Sequence, residues 1–230
     1  MAGGAVVVQV DPWGPSDVSA ETLQSLIDDG LLCPVTDPNR PKWIALGGEP
    51  EPRPRDGYIV SFVSFHECGL GLPVDRFMRS LPHYYGVELH NFNPNSIAQA
   101  AIFVAVYKGY LGIVPHWELW LHLFRAGLTT KPTGTAGTWK ATRAGGYTLQ
   151  VRQGRLYLYI PAQLASSNRR WYMSWFYLRN DDGGLPPYTG WIVESCPERW
   201  KYGVPKDDQP KLEPLLEGWR GCGATVSPRL

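Results

Sequence analysis

Residues 93–127 form the densest apolar block of the chain, and they constrain the fold more than any other stretch. They read NPNSIAQAAIFVAVYKGYLGIVPHWELWLHLFRAG, a pattern that predicts two consecutive helices around which the rest of the chain packs. Asn93 can cap the first helix, and Pro94 suits its first turn, where a missing N–H costs little. Because apolar residues surround this helix on nearly every side, we expect it to be the most buried element. The second helix is predicted to run from Pro115 to Gly127.

Alternating β-branched and aromatic residues predict a small sheet. Residues 58–65 are expected to form one strand, although their apolar content also allows a buried helix. Residues 147–151 and 156–160 are expected to pair as a hairpin, and residues 171–178 to form a third strand.

Helix boundary signals predict two further helices. One lies within residues 16–30, where Ser19 can act as the cap. The other begins at Pro73 and ends at Gly86, and Pro82 inside it should bend or shorten it.

Together these elements predict an α+β fold. A helical core from about residue 73 to 126 is expected to pack on a small, mostly antiparallel sheet built from residues 58–65 and 147–179. Proline-rich stretches near both ends favour peripheral segments. The predicted organisation is therefore an N-terminal arm with one short helix (1–55), a core domain (56–182) and a Pro-rich C-terminal tail (183–230).

Composition limits the class of protein. With 43% hydrophobic residues and 10 Trp among 230 residues, the chain can bury a substantial core. It has no apolar run of the roughly 18 to 20 residues that span a bilayer, and no basic residue precedes its N-terminal apolar tract. We therefore expect an intracellular protein, nuclear or cytoplasmic, with no membrane partner. Its four cysteines are far apart, which favours reduced thiols over disulfides or a zinc site.

Residues 54–127 also match a known pattern. They read PRDGYIVSFVSFHECGLGLPVDRFMRSLPHYYGVELHNFNPNSIAQAAIFVAVYKGYLGIVPHWELWLHLFRAG, and later segments read YTLQVRQGRLYLYIPAQL and WYMSWFYLRND. This sequence resembles the gypsy-type transposase domain that is abundant in plant genomes, especially grasses. The resemblance covers roughly residues 20–205, and its specific positions are His90, Asn95, Pro115-His116-Trp117 and Trp175-Phe176-Tyr177-Leu178.

The resemblance implies descent from a retrotransposon-like mobile element, and the family label suggests a transposase. It supplies no catalytic residues that could be assigned to positions here. Two departures, Cys68 after Glu67 and Tyr107-Lys108 before the Gly-Tyr-Leu-Gly run, are typical of drift in a copy of a repetitive element.

A transposase would need carboxylates that converge on metal ions. The candidate carboxylates are Asp181, Asp182, Glu194 and Glu198, which sit among Gly and Pro, so exposed turns are favoured over a metal site. Five histidines could supply a general base, but their spacing favours core or helix-cap roles: His66, His83, His90, His116 and His122. The residues thus favour a non-catalytic domain with no cofactor and no metal.

Charge is distributed unevenly along the chain. Residues 1–126 carry a net charge of −5, residues 127–180 carry +8 with no acidic residue, and residues 181–230 carry −2. Nine aromatic residues lie among the basic ones between residues 139 and 180, a composition typical of single-strand or phosphate-backbone binders. The candidate nucleic-acid-binding residues are Lys140, Arg143, Arg152, Arg155, Arg169, Arg170 and Arg179.

An opposing interpretation places these aromatic residues in a sheet core and pairs the arginines with the acidic first half of the chain. The near-zero total charge slightly favours it. Three functions stay open at this point: a transposon-derived domain that binds DNA or RNA or assembles with element-encoded proteins or itself, a DNA-processing enzyme, and a protein-interaction module.

Overall fold

The computed structural model describes residues 7–10, 12–36, 41–45, 48–129, 131–132, 138–155, 170–180, 183–193, 196–214 and 216–217. The helices are α1 (Ala20–Asp28), α2 (Val63–Glu67), α3 (Arg76–Tyr85), α4 (Pro94–Ala105) and α5 (Trp117–Leu123). The strands are β1 (Val7–Val10), β2 (Trp43–Ile44), β3 (Tyr58–Phe62), β4 (Phe124–Leu128), β5 (Lys131–Pro132), β6 (Thr138–Ala141), β7 (Tyr147–Val151) and β8 (Trp175–Arg179). Short 3-10 helices cover Leu89–Asn91, Trp171–Met173, Glu198–Lys201 and Lys206–Leu212, and a π-helical turn, Val106–Tyr110, extends α4.

The strands form small sheets, and the predicted α+β class is confirmed. The sheet orders are β2-β8-β3, with antiparallel pairs, β4-β7, also antiparallel, and β1-β6-β5, in which β1 and β6 are parallel. The prediction that residues 58–65 and 147–179 form a single sheet is wrong. Strand β7 pairs with β4 in one sheet, and β8 pairs with β3 in another. The predicted hairpin partner of β7, residues 156–160, lies outside the described part of the chain.

The first helix confirms its boundary signals. The Ser19 side chain accepts a hydrogen bond from the Thr22 backbone N–H at 3.3 Å, and Gly30 follows the helix with a positive φ of 74°. Leu23 and Leu26 are buried against the core. The cap and the apolar spacing were therefore sufficient to locate this helix.

Helix α3 begins later than predicted. It starts at Arg76 rather than Pro73, because the Asp75 carboxylate caps it by accepting the Phe77 backbone N–H at 2.8 Å. It continues through Pro82 and ends at Gly86, whose left-handed conformation forms the C-cap.

Two predicted elements change type inside the family-like region. Residues 63–67 form helix α2, not the end of a strand, because the β3 ladder stops where its partner β8 begins, at the Phe62–Trp175 pair. The second predicted helix ends at Leu123, and Phe124–Leu128 is strand β4. Pairing with β7 satisfies the backbone of this segment, and it outweighs the apolar helical spacing that extends through Phe124.

The prediction that the helix starting after Asn93 is the most buried element is wrong. Every residue of β3 is buried, whereas Ala105 of α4 is exposed and Ile102 and Val104 are half-buried. The helix still contributes Phe103, fully buried against the rings of Phe77 and Trp120 at 5.2 and 5.0 Å.

The described C-terminal segments bury side chains in the core, although they were predicted to be a peripheral tail. Trp200 is buried, and its Nε1 donates to the Tyr85 carbonyl at 2.8 Å, as does Arg199 Nη2 at 3.1 Å. Tyr85 is the last residue of α3, so these two donors satisfy a carbonyl that the helix itself leaves unpaired. Leu185, Val193, Leu212 and Leu216 are also buried in the core.

Candidate nucleic-acid interface

Arg152 uses its guanidinium group inside the fold. Its Nε donates to the Leu121 carbonyl at 2.8 Å, its Nη1 donates to the Lys201 carbonyl at 3.1 Å, and its Nη2 donates to the Tyr202 carbonyl. Burial lowers the pKa of this half-buried group. Arg152 thus joins the α5–β4 corner to residues 201 and 202, and its donors point at protein carbonyls.

The other candidate cations lie in different surroundings. Arg155 is half-buried and donates to the Gln209 side chain at 3.2 Å, close to Arg152. Arg179 is half-buried at the end of β8, where it lines a cavity. Lys140 lies in β6, but its side chain is outside the described part, as is the whole of Arg169.

Arg143 and Arg170 lie on two segments that the fold brings together. The contact is between Gly145 and the Trp171 ring: a Cβ on Gly145 would lie 2.6 Å from Trp171 Cζ2. Gly145 also has φ +74°, so a residue without a side chain is required there for two reasons. The Trp171 ring is anchored in the core, with its centroid 4.7 Å from that of Phe62.

His90 lies where several chain segments meet. Its carbonyl accepts the Gly145 backbone N–H at 3.1 Å, and its ring centroid lies 4.9 Å from that of Tyr188. His90 Nε2 and Asn91 Nδ2 approach the Trp191 carbonyl at 3.2 and 3.0 Å. Three segments that are far apart in sequence therefore meet around one buried histidine.

Glu88 holds the same cluster from the other side. His90 Nδ1 lies 3.3 Å from Glu88 Oε2, which also accepts the Thr189 backbone N–H at 2.9 Å. Burial raises the pKa of Glu88, but the contacts with His90 and Thr189 outweigh this and leave the pKa below its usual value. A charged Glu88 thus fixes the residue 188–191 segment on the core.

The segments that meet at His90 and Gly145 carry basic and aromatic side chains. Arg170 is exposed, and the rings of Tyr172 and Trp191 are 43% and 46% exposed. Arg143 is half-buried and interacts electrostatically with Tyr188 and Glu51. Its Nε is buried without a hydrogen-bond partner among the described residues. We call Arg143, Arg170, Tyr172 and Trp191 the basic–aromatic face.

Arg170 has an unusual backbone. Its φ of 59° lies in the left-handed region, the one such value among the non-glycine residues that the structure describes. Its Nε donates to Met173 Sδ at 3.4 Å. Backbone strain of this kind clusters at functional sites, so Arg170 is a candidate functional position.

The histidines are dispersed. His66, His90 and His122 are buried, which confirms a core role for these three, and His66 Nε2 contacts Ser61 Oγ at 3.0 Å. His116 occupies the N-cap position of α5 without a side-chain hydrogen bond there, and His83 is exposed.

Of the four candidate carboxylates, Glu198 is exposed and pairs with Lys201 at 2.8 Å. Asp181, Asp182 and Glu194 lie outside the described residues. Within the described ranges, no three His, Cys, Asp or Glu side chains are grouped so that they could hold a metal ion. No helix in those ranges is long and apolar enough to cross a membrane.

The sequence predicted only part of this candidate site. The basic composition indicated the arginines, but Trp191 and Tyr188 follow them by many residues in a segment predicted to be a peripheral tail. The one local signal was the Gly145-Gly146 pair, which marks a turn that another chain segment can approach closely.

The architecture defines an α+β domain, and the basic–aromatic face is its candidate site. Residues 59–128, from β3 to the end of β4, match the model of a family described as "Putative gypsy type transposon". The resemblance seen in the sequence is therefore confirmed over this segment, which is less than a third of the chain. No curated protein and no solved structure matches the chain.

Proposed function

We propose that this protein is a transposon-derived, non-catalytic domain that binds single-stranded nucleic acid through the basic–aromatic face. The observation that supports the proposal is the contact of Trp171 with Gly145, because it joins the two segments that carry Arg143 and Arg170. Tyr172, which follows Trp171, is 43% exposed. Guanidinium groups bind backbone phosphates, and exposed rings stack on bases with little sequence preference.

The non-catalytic part of the proposal is supported by the positions of two of the potential general bases. His66 and His90 are each 1% exposed and are engaged by Ser61 and by Glu88 and Asn91, respectively. A substrate has no access to their rings in this conformation, and proton transfer requires hydrogen-bond reach.

The direct test is binding of a labelled single-stranded oligonucleotide, as DNA and as RNA, at a series of salt concentrations. We expect little sequence preference and a log–log salt slope of about −0.7 per phosphate contact. The double variant Arg143→Gln with Arg170→Gln should bind more weakly and show a shallower slope. The matched control is Arg125→Gln, an exposed arginine of β4 that donates to the Gln150 side chain. Equal losses in both variants would contradict the proposed face.

A second assay addresses catalysis. Purified protein with Mg²⁺ or Mn²⁺ should neither cleave nor join DNA ends. Strand transfer that disappears in Asp181→Asn or Glu194→Gln would make the protein a transposase and overturn the non-catalytic assignment.

One other observation favours assembly with element-encoded proteins or self-association as a second candidate. The turn between α4 and α5 exposes Tyr110, Ile113 and Val114, of which Val114 is 80% exposed. Exposed apolar groups of this kind commonly mark protein contacts. Sedimentation of the chain beside a Val114→Asp variant tests it: a mass above the monomer that falls in the variant supports assembly, and a monomer in both contradicts self-association.

A further inference from the structure

One segment of the basic–aromatic face has no regular structure of its own. Residues 188–193, which include Trp191, form neither a helix nor a strand. The position of this segment therefore depends on side-chain contacts rather than on the hydrogen bonds of a helix or sheet. The residues that supply these contacts are Glu88 and the short 3-10 helix that follows it, Leu89–Asn91.

Glu88 makes the first attachment of the 188–193 segment. The buried Glu88 carboxylate accepts two hydrogen bonds from Thr189, one from its backbone N–H at 2.9 Å and one from its hydroxyl group. The same hydroxyl oxygen accepts the Trp191 backbone N–H at 3.3 Å. Hydrogen bonds to a carboxylate are stronger than those between neutral groups, so this attachment depends on the negative charge of Glu88.

Asn91 makes the second attachment. Its Oδ1 accepts the Glu88 backbone N–H at 2.8 Å, which fixes the orientation of the amide group. Its Nδ2 then donates to the Trp191 carbonyl at 3.0 Å. The backbone of Trp191 is thus bound through both its N–H and its carbonyl, while the residue itself is 46% exposed. A side chain on a fixed backbone loses less conformational freedom when it binds a ligand.

The same segment contacts the turn that follows Arg143. A Cβ on Gly146 would lie 3.5 Å from Val193 Cβ, and Val193 is buried. The turn also contacts the 3-10 helix, because the Gly145 N–H donates to the His90 carbonyl at 3.1 Å. The position of Trp191 relative to this turn is therefore set by Glu88 and Asn91 on one side and by Val193 on the other.

We propose that Glu88 is a positioning residue for nucleic-acid binding. It fixes the 188–193 segment so that Trp191 stacks on a base of the strand whose phosphate Arg143 binds. This inference rests on the proposed function, because it assigns a role within the same face. It also predicts the sign of an effect. Loss of a negative charge ordinarily strengthens the binding of phosphates, whereas loss of the Glu88 charge should weaken it.

The test measures binding of a labelled single-stranded oligonucleotide to the full chain by fluorescence anisotropy. Glu88→Gln should bind about fivefold or more weakly, because an amide oxygen replaces only one of the two acceptors and the Trp191 ring loses its fixed position. The matched control is Glu118→Gln, which removes the same charge from an exposed position of α5 and should bind at least as tightly as the wild type. In a Trp191→Ala background, Glu88→Gln should change the affinity by less than about twofold, because Glu88 acts through this ring.

A second pair of variants tests the attachment if Glu88→Gln does not fold. Thr189 is exposed, so its substitution leaves the core intact. Thr189→Val keeps the shape but removes the hydroxyl group that contacts Glu88 and Trp191, whereas Thr189→Ser retains it. We expect the valine variant to bind more weakly than the serine variant. In protein labelled with fluorotryptophan, the fluorine resonance of Trp191, assigned by its absence in Trp191→Phe, should narrow in Thr189→Val and in Glu88→Gln but not in Glu118→Gln.

The proposed function and the positioning role can fail separately. A wild type that binds no oligonucleotide contradicts the proposed function, and the role of Glu88 with it. If the wild type binds and Arg143→Gln with Arg170→Gln weakens binding, the face is supported independently of Glu88. Unchanged or tighter binding by Glu88→Gln, or an equal loss of affinity in the Trp191→Ala background, then overturns the positioning role alone.

Discussion

Arg152 and Arg143 are nine residues apart in the same acid-free stretch, but their guanidinium groups have opposite surroundings. Arg152 donates to three backbone carbonyls, whereas the Nε of Arg143 is buried without a hydrogen-bond partner among the described residues. The difference shows that a basic stretch does not by itself define a binding surface. Carbonyls at helix and strand ends compete with phosphate for arginine, and the fold decides which arginine they take.

The largest expected effect is a loss of stability on substitution of Arg152, whose guanidinium group is used inside the fold. Arg152→Met keeps much of the aliphatic stem but removes the donors to Leu121, Lys201 and Tyr202, so the free energy of unfolding should fall by about 2 to 4 kcal/mol. Urea denaturation measures the change. Arg125→Met, an exposed arginine, should stay within about 0.5 kcal/mol. A similarly small effect for Arg152→Met would mean that this arginine is free to serve a ligand.

The buried His66 should make the stability of the protein depend on pH. Burial lowers the pKa of His66 from 6.5 to about 4. Because the folded protein resists protonation, stability is fully present above pH 6.5 and is lost as pH falls from 6.5 toward 4. This histidine alone should cost about 2 kcal/mol between pH 8 and pH 5. Denaturation of His66→Gln should show a flatter pH dependence, while His83→Gln, at an exposed position, should keep the slope. An unchanged slope in His66→Gln would indicate that the ring is hydrated.

Substitutions in the basic–aromatic face should lower nucleic-acid affinity without lowering stability. Tyr172→Ala removes a 43% exposed ring and should weaken single-strand binding by about 1 to 2 kcal/mol, while the thermal midpoint stays nearly unchanged. Fluorescence anisotropy and thermal unfolding of one preparation measure both. Tyr202→Ala is the control, because Tyr202 is 60% exposed near Arg152 and outside the face. Equal affinity losses would remove the distinction between the two regions.

The smallest expected effect is a change in stability at Arg170, where backbone strain and ligand binding can be measured separately. Arg170→Gly relieves a left-handed φ of 59° and should raise stability by about 0.5 to 1 kcal/mol while it weakens nucleic-acid binding. Opposite signs of the two changes would fit a residue kept for its ligand. A variant that is less stable and binds normally would assign Arg170 a structural role instead.

The sequence predicted the helix ends correctly where residues within one turn determine them. Ser19 and Asn93 were correctly identified as helix caps, and Gly86 as a helix end, because caps act within one turn. Residues 124–127 were assigned to a helix because the apolar spacing before them is helical, and the pairing with β7 makes them part of a strand.

The candidate site was less predictable because it depends on distant contacts. Gly145, Tyr188 and Trp191 meet at His90, and no spacing rule relates positions that are about 50 to 100 residues apart. The same holds for the cavity at the end of β8, which is lined by Lys42, Arg79 and Arg179. The sequence therefore indicated which residue types could bind an anion, but not which of them would share a surface.

The pairing of β3 with β8 and of β4 with β7 bears on the autonomy of the family-matched segment. Residues 59–128 contain β4 and nearly all of β3, while both partners lie beyond residue 146. If the segment were excised, two apolar strands would lose their partners and leave unsatisfied backbone edges that can template association between chains. We expect the isolated segment to aggregate, as light scattering beside the full chain would show. Recombination that moved only this segment would therefore transfer a recognisable sequence without an independently folding unit.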